Sequence, residues 1–394
     1  MASPDIEKIQ ATLQEWDLDG WLLYDFHHSN PIAYQILGFD QGMITRRWFY
    51  WIPKEGAPIK LVHSIEADYF DETPGRNCVY TGWQDMNAHL EGILTKVDTV
   101  AMEYSPKGAI PYISRVDTGT FELVKSFGIE IVSSADLVQL FQSRWDDEAY
   151  QLHNETVPIM FDLKDGAFQL ISEKIEAGET VTECDVQEWI TDGFRENGME
   201  TEDPPIVAVN EHSGQPHYSP SREHDTEITE GDFVLIDMWA RKSQQKATYV
   251  DITWTGFVGD SIPNRYTHIF DIVAEARDAA VQLIQNRWES GKEISGWEVD
   301  NAARAVIEDA GYGKFFTHRT GHSLDTSVHG NGVNIDNLET QDRRKIIPGM
   351  GFTIEPGIYL SEFGIRSEID VYMSEDGPVV TTTPLQKEVL PLLA

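Results

Sequence analysis

Through roughly the first 140 residues, short continuous apolar runs alternate with amphipathic ones. Ile6, Ile9, Leu13 and Trp16 recur at three- and four-residue spacing after Pro4 and Asp5, which predicts a one-faced helix stopping near Gly20. Trp21 to Tyr24 then reads as a buried strand. The runs RRWFYWIP, IKLVHS, TVAMEY and IEIVSS repeat the strand-like pattern, with the helical DMNAHLEGIL among them. The pattern predicts an α/β domain that ends between Val132 and Phe141, and no grouping of chemistry-bearing side chains stands out in it.

A second region opens at RWDDEAYQLHNE, where Asp146, Asp147 and Glu148 suit the positive end of a helix. Pro158 is expected to kink or end that helix, because proline cannot donate to the preceding turn. Three more helices are predicted at VTECDVQEWITDGFRENG, NRYTHIFDIVAEARDAAVQLIQN and SGWEVDNAARAVIEDAGYG, each closed by Gly or Asn. Strand-like runs lie between them. The reading is therefore α/β (α+β) in two domains, 1–140 and 141–394, as a chain of 394 residues permits at roughly 150 per domain.

Charge narrows the partners. With 66 acidic against 30 basic side chains the formal net charge is −36, which excludes a broad basic face for nucleic acid or an anionic membrane. Such acidity fits either a solvated, solubility-favouring surface or one adapted to a salt-rich interior. Cys78 and Cys184 stand far apart, so neither a disulfide framework nor a thiolate zinc site is indicated. No apolar run approaches the roughly 18 residues of a membrane span, and the charged N-terminal segment does not resemble a signal peptide, so the expected location is cytoplasmic.

The second region contains a weak internal repeat. GDFVLID ends in Asp237, six residues after Gly231, and GMGFTIE ends in Glu355, six residues after Gly349. Asp251 in YVDITW follows the first by fourteen residues, and Glu368 in GIRSEID follows the second by thirteen. Two similar hairpins would bring four carboxylates together across a pseudo-twofold axis. Buried like charges at short range need a compensating cation, and two divalent metals would supply it. Between the hairpins, HRTGHSLDTSVHG contributes His322 and His329. A nitrogen ligand added to oxygen ligands suits manganese, cobalt, iron or zinc, and a metal pair is the layout of two-metal hydrolysis.

With these residues the sequence resembles the pita-bread metallopeptidases: methionine aminopeptidase, aminopeptidase P, prolidase and their relatives. The family's Asp, Asp, His, Glu and Glu ligands fall on Asp237, Asp251, His322, Glu355 and Glu368. GQPHYSP matches the family's His-Tyr-x-Pro segment and nominates His217, while IEPGIY and GIRSE match around the last two ligands and nominate Arg366. The resemblance runs from about Leu140 to Ala394, and the N-terminal domain looks like the creatinase and prolidase type of extension. It implies a homodimer, and the aromatic run RRWFYW is the expected contact surface. Glu355 would bind metal and shuttle a proton, and His217 and His329 would serve the oxyanion and leaving-group sides. Arg366 would hold a substrate carboxylate or pair with Glu368. Arg343 and Arg344 stand at about the interval where dipeptide-specific relatives place a carboxylate-binding arginine.

The departures lie near the expected pocket. The first hairpin is three residues longer than the family's usual spacing, DMW replaces the usual glycine after the first Asp, and Thr253, Trp254, Thr255 and Ser323, Leu324, Asp325 replace other family residues. None removes a ligand. The resemblance thus implies a dimetal hydrolase of Xaa-Pro bonds, with a small peptide, most simply a dipeptide, as substrate. Two rivals share the fold: a dimethylsulfoniopropionate lyase, with Trp239 and Trp254 facing a sulfonium cation, and a non-catalytic peptide-binding module.

Overall fold

Asp5 accepts a hydrogen bond from the Lys8 amide and opens α1 (Ile6–Glu15) in a computed structural model that describes residues 4–38 and 42–393. The helix stops short of Gly20 because Asp17 turns the chain at φ 55°. The structure divides into two compact units, Met1–Gln142 and Ser143–Ala394.

The first unit is a six-stranded sheet in the order β4-β3-β2-β1-β5-β6, built from β1 (Gly20–Asp25), β2 (Trp48–Pro53), β3 (Ile59–His63), β4 (Arg76–Tyr80), β5 (Thr99–Met102) and β6 (Glu130–Ser133). Side chains alternate across a strand, so Trp21, Leu23, Tyr50 and Ile52 fill one face while Leu22, Tyr24, Phe49 and Trp51 fill the other. Among the helices covering these faces are α2 (Pro31–Leu37), α3 (Trp83–Ile93), α4 (Thr118–Ser126) and α5 (Ala135–Gln142). This placement corrects the reading of RRWFYW as a contact surface: Trp48 to Trp51 are buried in an inner strand, covered by their own unit. The edge strand β4 had no apolar alternation to announce it, since Arg76 and Asn77 are exposed.

The second unit runs twice through one order of elements. A long helix, α6 (Asp147–Glu176), is followed by α7 (Glu183–Glu196), and later α8 (Asn264–Glu289) is followed by α9 (Gly296–Asp309). Each shorter helix begins with a capping box, Thr182 with Asp185 and Ser295 with Glu298, which satisfies its first amides. After each pair a glycine at positive φ, Gly231 (96°) or Gly349 (89°), turns the chain into a carboxylate-bearing strand. This is the repeated pita-bread plan.

Pro158 does not end α6: Val157, Met160 and Phe161 on either side are buried in the core shared with α7 and the sheet, and that packing holds the turn despite the missing amide. The first sheet joins β7 (Met199–Glu200), β8 (Ile206–Val209), β9 (Phe233–Lys242), β10 (Val250–Phe257) and β17 (Leu390–Pro391); the second joins β11 (Ser323–Leu324), β12 (Gly351–Ile354), β15 (Ile369–Ser374) and β16 (Gly377–Val380). Between β12 and β15 a separate hairpin is inserted, β13 (Gly357–Tyr359) with β14 (Gly364–Arg366), so the second carboxylate pair flanks this insertion instead of sharing a simple hairpin. No described helix is long and apolar enough to cross a membrane.

Candidate metal centre

Strand register places the carboxylates. On the β9–β10 ladder Asp237 lies opposite Thr253 and Asp251 opposite Trp239, so all four side chains share one face, with the two aspartates on a diagonal. Ile354 pairs with Ile369, so Glu355 and Glu368 flank the end of the β12–β15 ladder. His322 immediately precedes β11, and its backbone N–H donates to Thr353 Oγ1 at 2.9 Å.

The five side chains converge. One ligand-type atom from each of Asp251, His322 and Glu368 lies within 4.8 Å of the others, and all three residues are buried. His322 Nε2 is 3.6 Å from Asp251 Oδ2 and 3.5 Å from Glu355 Oε1. Asp237 joins through Arg366, whose guanidinium contacts Asp237 Oδ2 and stands 3.9 Å from both Glu355 and Glu368. Thr253 Oγ1 donates to Glu368 Oε2 at 2.6 Å and accepts from Arg366 Nε at 2.9 Å.

Electrostatics shows what the cluster lacks. Burial, then the neighbouring carboxylates, pushes Asp251 and Glu368 well above the usual carboxylate range. Burial also raises Asp237, against the opposing effect of Arg366, and raises Glu355 to about 7. His322 is driven well below its ordinary value, first by burial and then by His329. Its Nδ1 lies 3.3 Å from the Ser323 carbonyl, which leaves Nε2 facing the carboxylates as a neutral donor of an electron pair. Asp237 Oδ1 and Asp251 Oδ1 are buried without a hydrogen-bond partner. Unpaired buried oxygens beside an imidazole nitrogen fit a bound divalent cation, whose charge would reverse the protonation that burial favours.

The other sequence candidates are placed differently. His217 is exposed, yet close enough to act electrostatically on Asp237 and His329. His329 reaches solvent while its ring centroid lies 4.4 Å from that of His322, and crowding by protein lowers it to about 4. Arg343 is exposed and donates to Gln341 Oε1. Arg344 is buried, with its donors directed at Asp342 and at the carbonyls of Asn331 and Gly332.

The structure corrects Trp254. Its strand parity turns it away from the aspartates, its ring packs edge-on against Phe161, and Lys164 Nζ already lies 3.8 Å from its centroid. It does not wall the carboxylate site. Two residues were missed: His318 Nε2 is 2.7 Å from Tyr359 Oη, which in turn accepts from Arg366 Nη1 at 3.2 Å. Both sit inside the segments HRTGH and IEPGIY that drew attention for other residues.

Comparison with known proteins gives the family and the fold. A model of metallopeptidase family M24 matches residues 161–375. The putative dipeptidase YkvY of Bacillus subtilis is 31% identical over 262 residues, 65% of this chain and 64% of that protein, so the chain spans less than two thirds of its length. Among solved structures, dipeptidase PepE of Mycobacterium ulcerans superposes with a TM-score of 0.71 at 20% identity, over 98% of this chain and 96% of that one. Prolidase of Thermococcus sibiricus gives 0.65 at 23% identity, over 98% of both chains. Those two likenesses carry the fold.

Proposed function

The chain belongs to metallopeptidase family M24, and on that footing we propose that it hydrolyses Xaa-Pro dipeptides in the cytoplasm with two divalent metal ions, manganese foremost. Asp237, Asp251, His322, Glu355 and Glu368 would hold them. The observation that carries this reading is the convergence of five buried or near-buried ligand groups with two orphaned carboxylate oxygens among them. Ions bound there supply Lewis-acid polarisation of a carbonyl and a lowered pKa for attacking water. The chain's own groups do the rest. Glu355, beside His322 and at the edge of the cluster, is assigned to take up and release the proton of the attacking water. His217 and His329, both exposed, are assigned to donate N–H bonds to substrate oxygens.

Arg366, tied to Asp237, Thr253 and Tyr359, is assigned to orienting Asp237. For a substrate carboxylate that leaves Arg343, whose guanidinium is exposed, ahead of Arg344. The second unit, 143–394, is read as catalytic and the first as the creatinase-like extension. A homodimer remains part of the proposal, with exposed Met43, Ile65 and Trp83 as apolar side chains available to an interface; light scattering at micromolar concentration tests it.

The function is tested with Xaa-Pro dipeptides, longer Xaa-Pro peptides and dimethylsulfoniopropionate, each assayed with manganese, cobalt and zinc. The expected result is dipeptide turnover that chelation abolishes and manganese restores. Acrylate release without peptide cleavage would replace the proposal with the lyase.

A further inference from the structure

Strand β10 has a half-open edge. β9 pairs with all of it on one side, whereas β17 reaches only Gly256 and Phe257 on the other. Backbone groups along the open stretch must find partners elsewhere, because a buried unpaired amide or carbonyl is costly. Side chains from distant segments take that place. Gln386 accepts from the Thr255 N–H at 3.1 Å and donates to the Thr255 carbonyl at 2.7 Å. Asp370 Oδ2 accepts from the Asp251 N–H at 3.0 Å, and His153 Nδ1 meets the Tyr249 carbonyl at 3.0 Å.

Asp370 differs from an ordinary edge cap in what it connects. It lies on β15, two residues beyond Glu368, and its partner amide belongs to Asp251, two residues before Thr253. Thr253 itself bonds Glu368. Two side-chain bonds at matching spacing, Thr253 to Glu368 and Asp251 to Asp370, therefore tie the aspartate-bearing strand of one half to the glutamate-bearing strand of the other. They fix the separation between two members of the three-residue cluster. Asp370 is fully buried, and its own position is held: its N–H donates to Thr382 Oγ1 at 2.8 Å and its carbonyl accepts from the Thr381 N–H at 3.0 Å. His153, also fully buried, backs it, with Nε2 at 2.8 Å from Thr381 Oγ1 and 3.8 Å from Asp370 Oδ2.

We propose that Asp370 is a positioning residue for metal binding: by holding the Asp251 amide with a side-chain acceptor, and with His153 behind it, it sets Asp251 against Glu368 and His322. This rests on the metal-centre reading above. Partners that orient ligands in this way influence metal affinity by about 10- to 100-fold.

The test is calorimetric titration of manganese into chelator-treated protein, comparing wild type with Asp370→Leu, which keeps the shape and removes the acceptor, and Asp370→Asn, which keeps an acceptor. The unfolding midpoint of each metal-free protein is recorded alongside. Asp370→Leu is expected to weaken manganese binding by at least about tenfold, and Asp370→Asn to stay within about threefold of wild type. Equal affinity in wild type and Asp370→Leu, or a lowered metal-free midpoint with unchanged affinity, would overturn the proposal and leave a merely structural residue. Should Asp370→Leu not fold, Asp370→Asn decides alone, since a tenfold loss there contradicts the acceptor role. Wild-type protein that binds no manganese would instead refute the metal-centre reading itself.

Discussion

Both units bury carboxylates, and two groups of them, Asp25 with Glu103 in the first and the four acids around His322 in the second, are treated in opposite ways. In the first, Asp25 accepts from the His28 and Asn30 amides, Ser29 Oγ and Tyr34 Oη, while Glu103 accepts from Trp21 Nε1, Asn30 Nδ2 and Ser134 Oγ. Every one of those donors is uncharged and belongs to the same sheet or to segments beside it. In the second unit Asp237, Asp251, Glu355 and Glu368 face one another, and two of their oxygens have no donor at all. A buried acid ringed by neutral donors is a structural pillar. Four buried or near-buried acids that share one guanidinium, Arg366, carry more negative charge than the chain compensates, which is what a cation site requires.

Truncation should separate the two kinds most sharply. Glu355→Ala is expected to lower Xaa-Pro turnover by about a thousandfold or more, the scale of a lost proton-transfer group, with at least one of the two metals lost by elemental analysis. Its metal-free unfolding midpoint should hold or rise, because a buried like charge has gone. Glu103→Ala should do the reverse: turnover per folded molecule is retained, while stability falls by about 3 kcal/mol as three buried donors lose their acceptor. A Glu355→Ala protein that is both active and less stable would erase the distinction.

The pillar also carries a pH signature of its own. Burial raises Glu103 from 4.5 to about 7, so the folded state binds its proton more tightly than the unfolded state does. Its favourable contribution is therefore complete below about pH 4.5 and is lost as pH rises through about 7. Glu103→Gln lacks this titration. Denaturant unfolding should show the stability of wild type, relative to Glu103→Gln, dropping by about 3 kcal/mol between those limits. A difference that stays constant across the window would mean the acid is hydrated or already ionised.

Legibility in the sequence followed the same division. The proposed ligand set was readable because the repeat puts four carboxylates at matching positions and the family resemblance falls on Asp237, Asp251, His322, Glu355 and Glu368, all of which the fold brings into one cluster. Asp370 and Thr253 were not readable that way: their importance comes from the open edge of β10, which exists only once the strands are ordered. Trp254 was misread for want of a parity argument the sequence did contain, since Asp251 and Thr253 on one face send residue 254 to the other. In the first unit, Glu103 stands next to last in the strand-like run TVAMEY as an ordinary acidic residue. Only the convergence of Trp21, Asn30 and Ser134 from separate segments makes it a pillar.

Salt should produce the smallest effect and still tests the comparison. A net charge of −36 lies largely on exposed side chains, where counterions reach it; the Debye length shrinks from about 10 Å at 0.1 M to about 3 Å at 1 M. Raising potassium chloride across that range should relieve surface repulsion and stabilise the fold by about 1 kcal/mol, a shift of a few degrees in the midpoint for a chain of this size. Glu103 is fully buried and is screened far less. The gap between wild type and Glu103→Ala should therefore remain the same while both midpoints climb together. A midpoint that is flat in salt would assign the acidity to solubility alone. A gap that closes as salt rises would show solvent ions reaching Glu103, and the pillar would then belong with the surface acids.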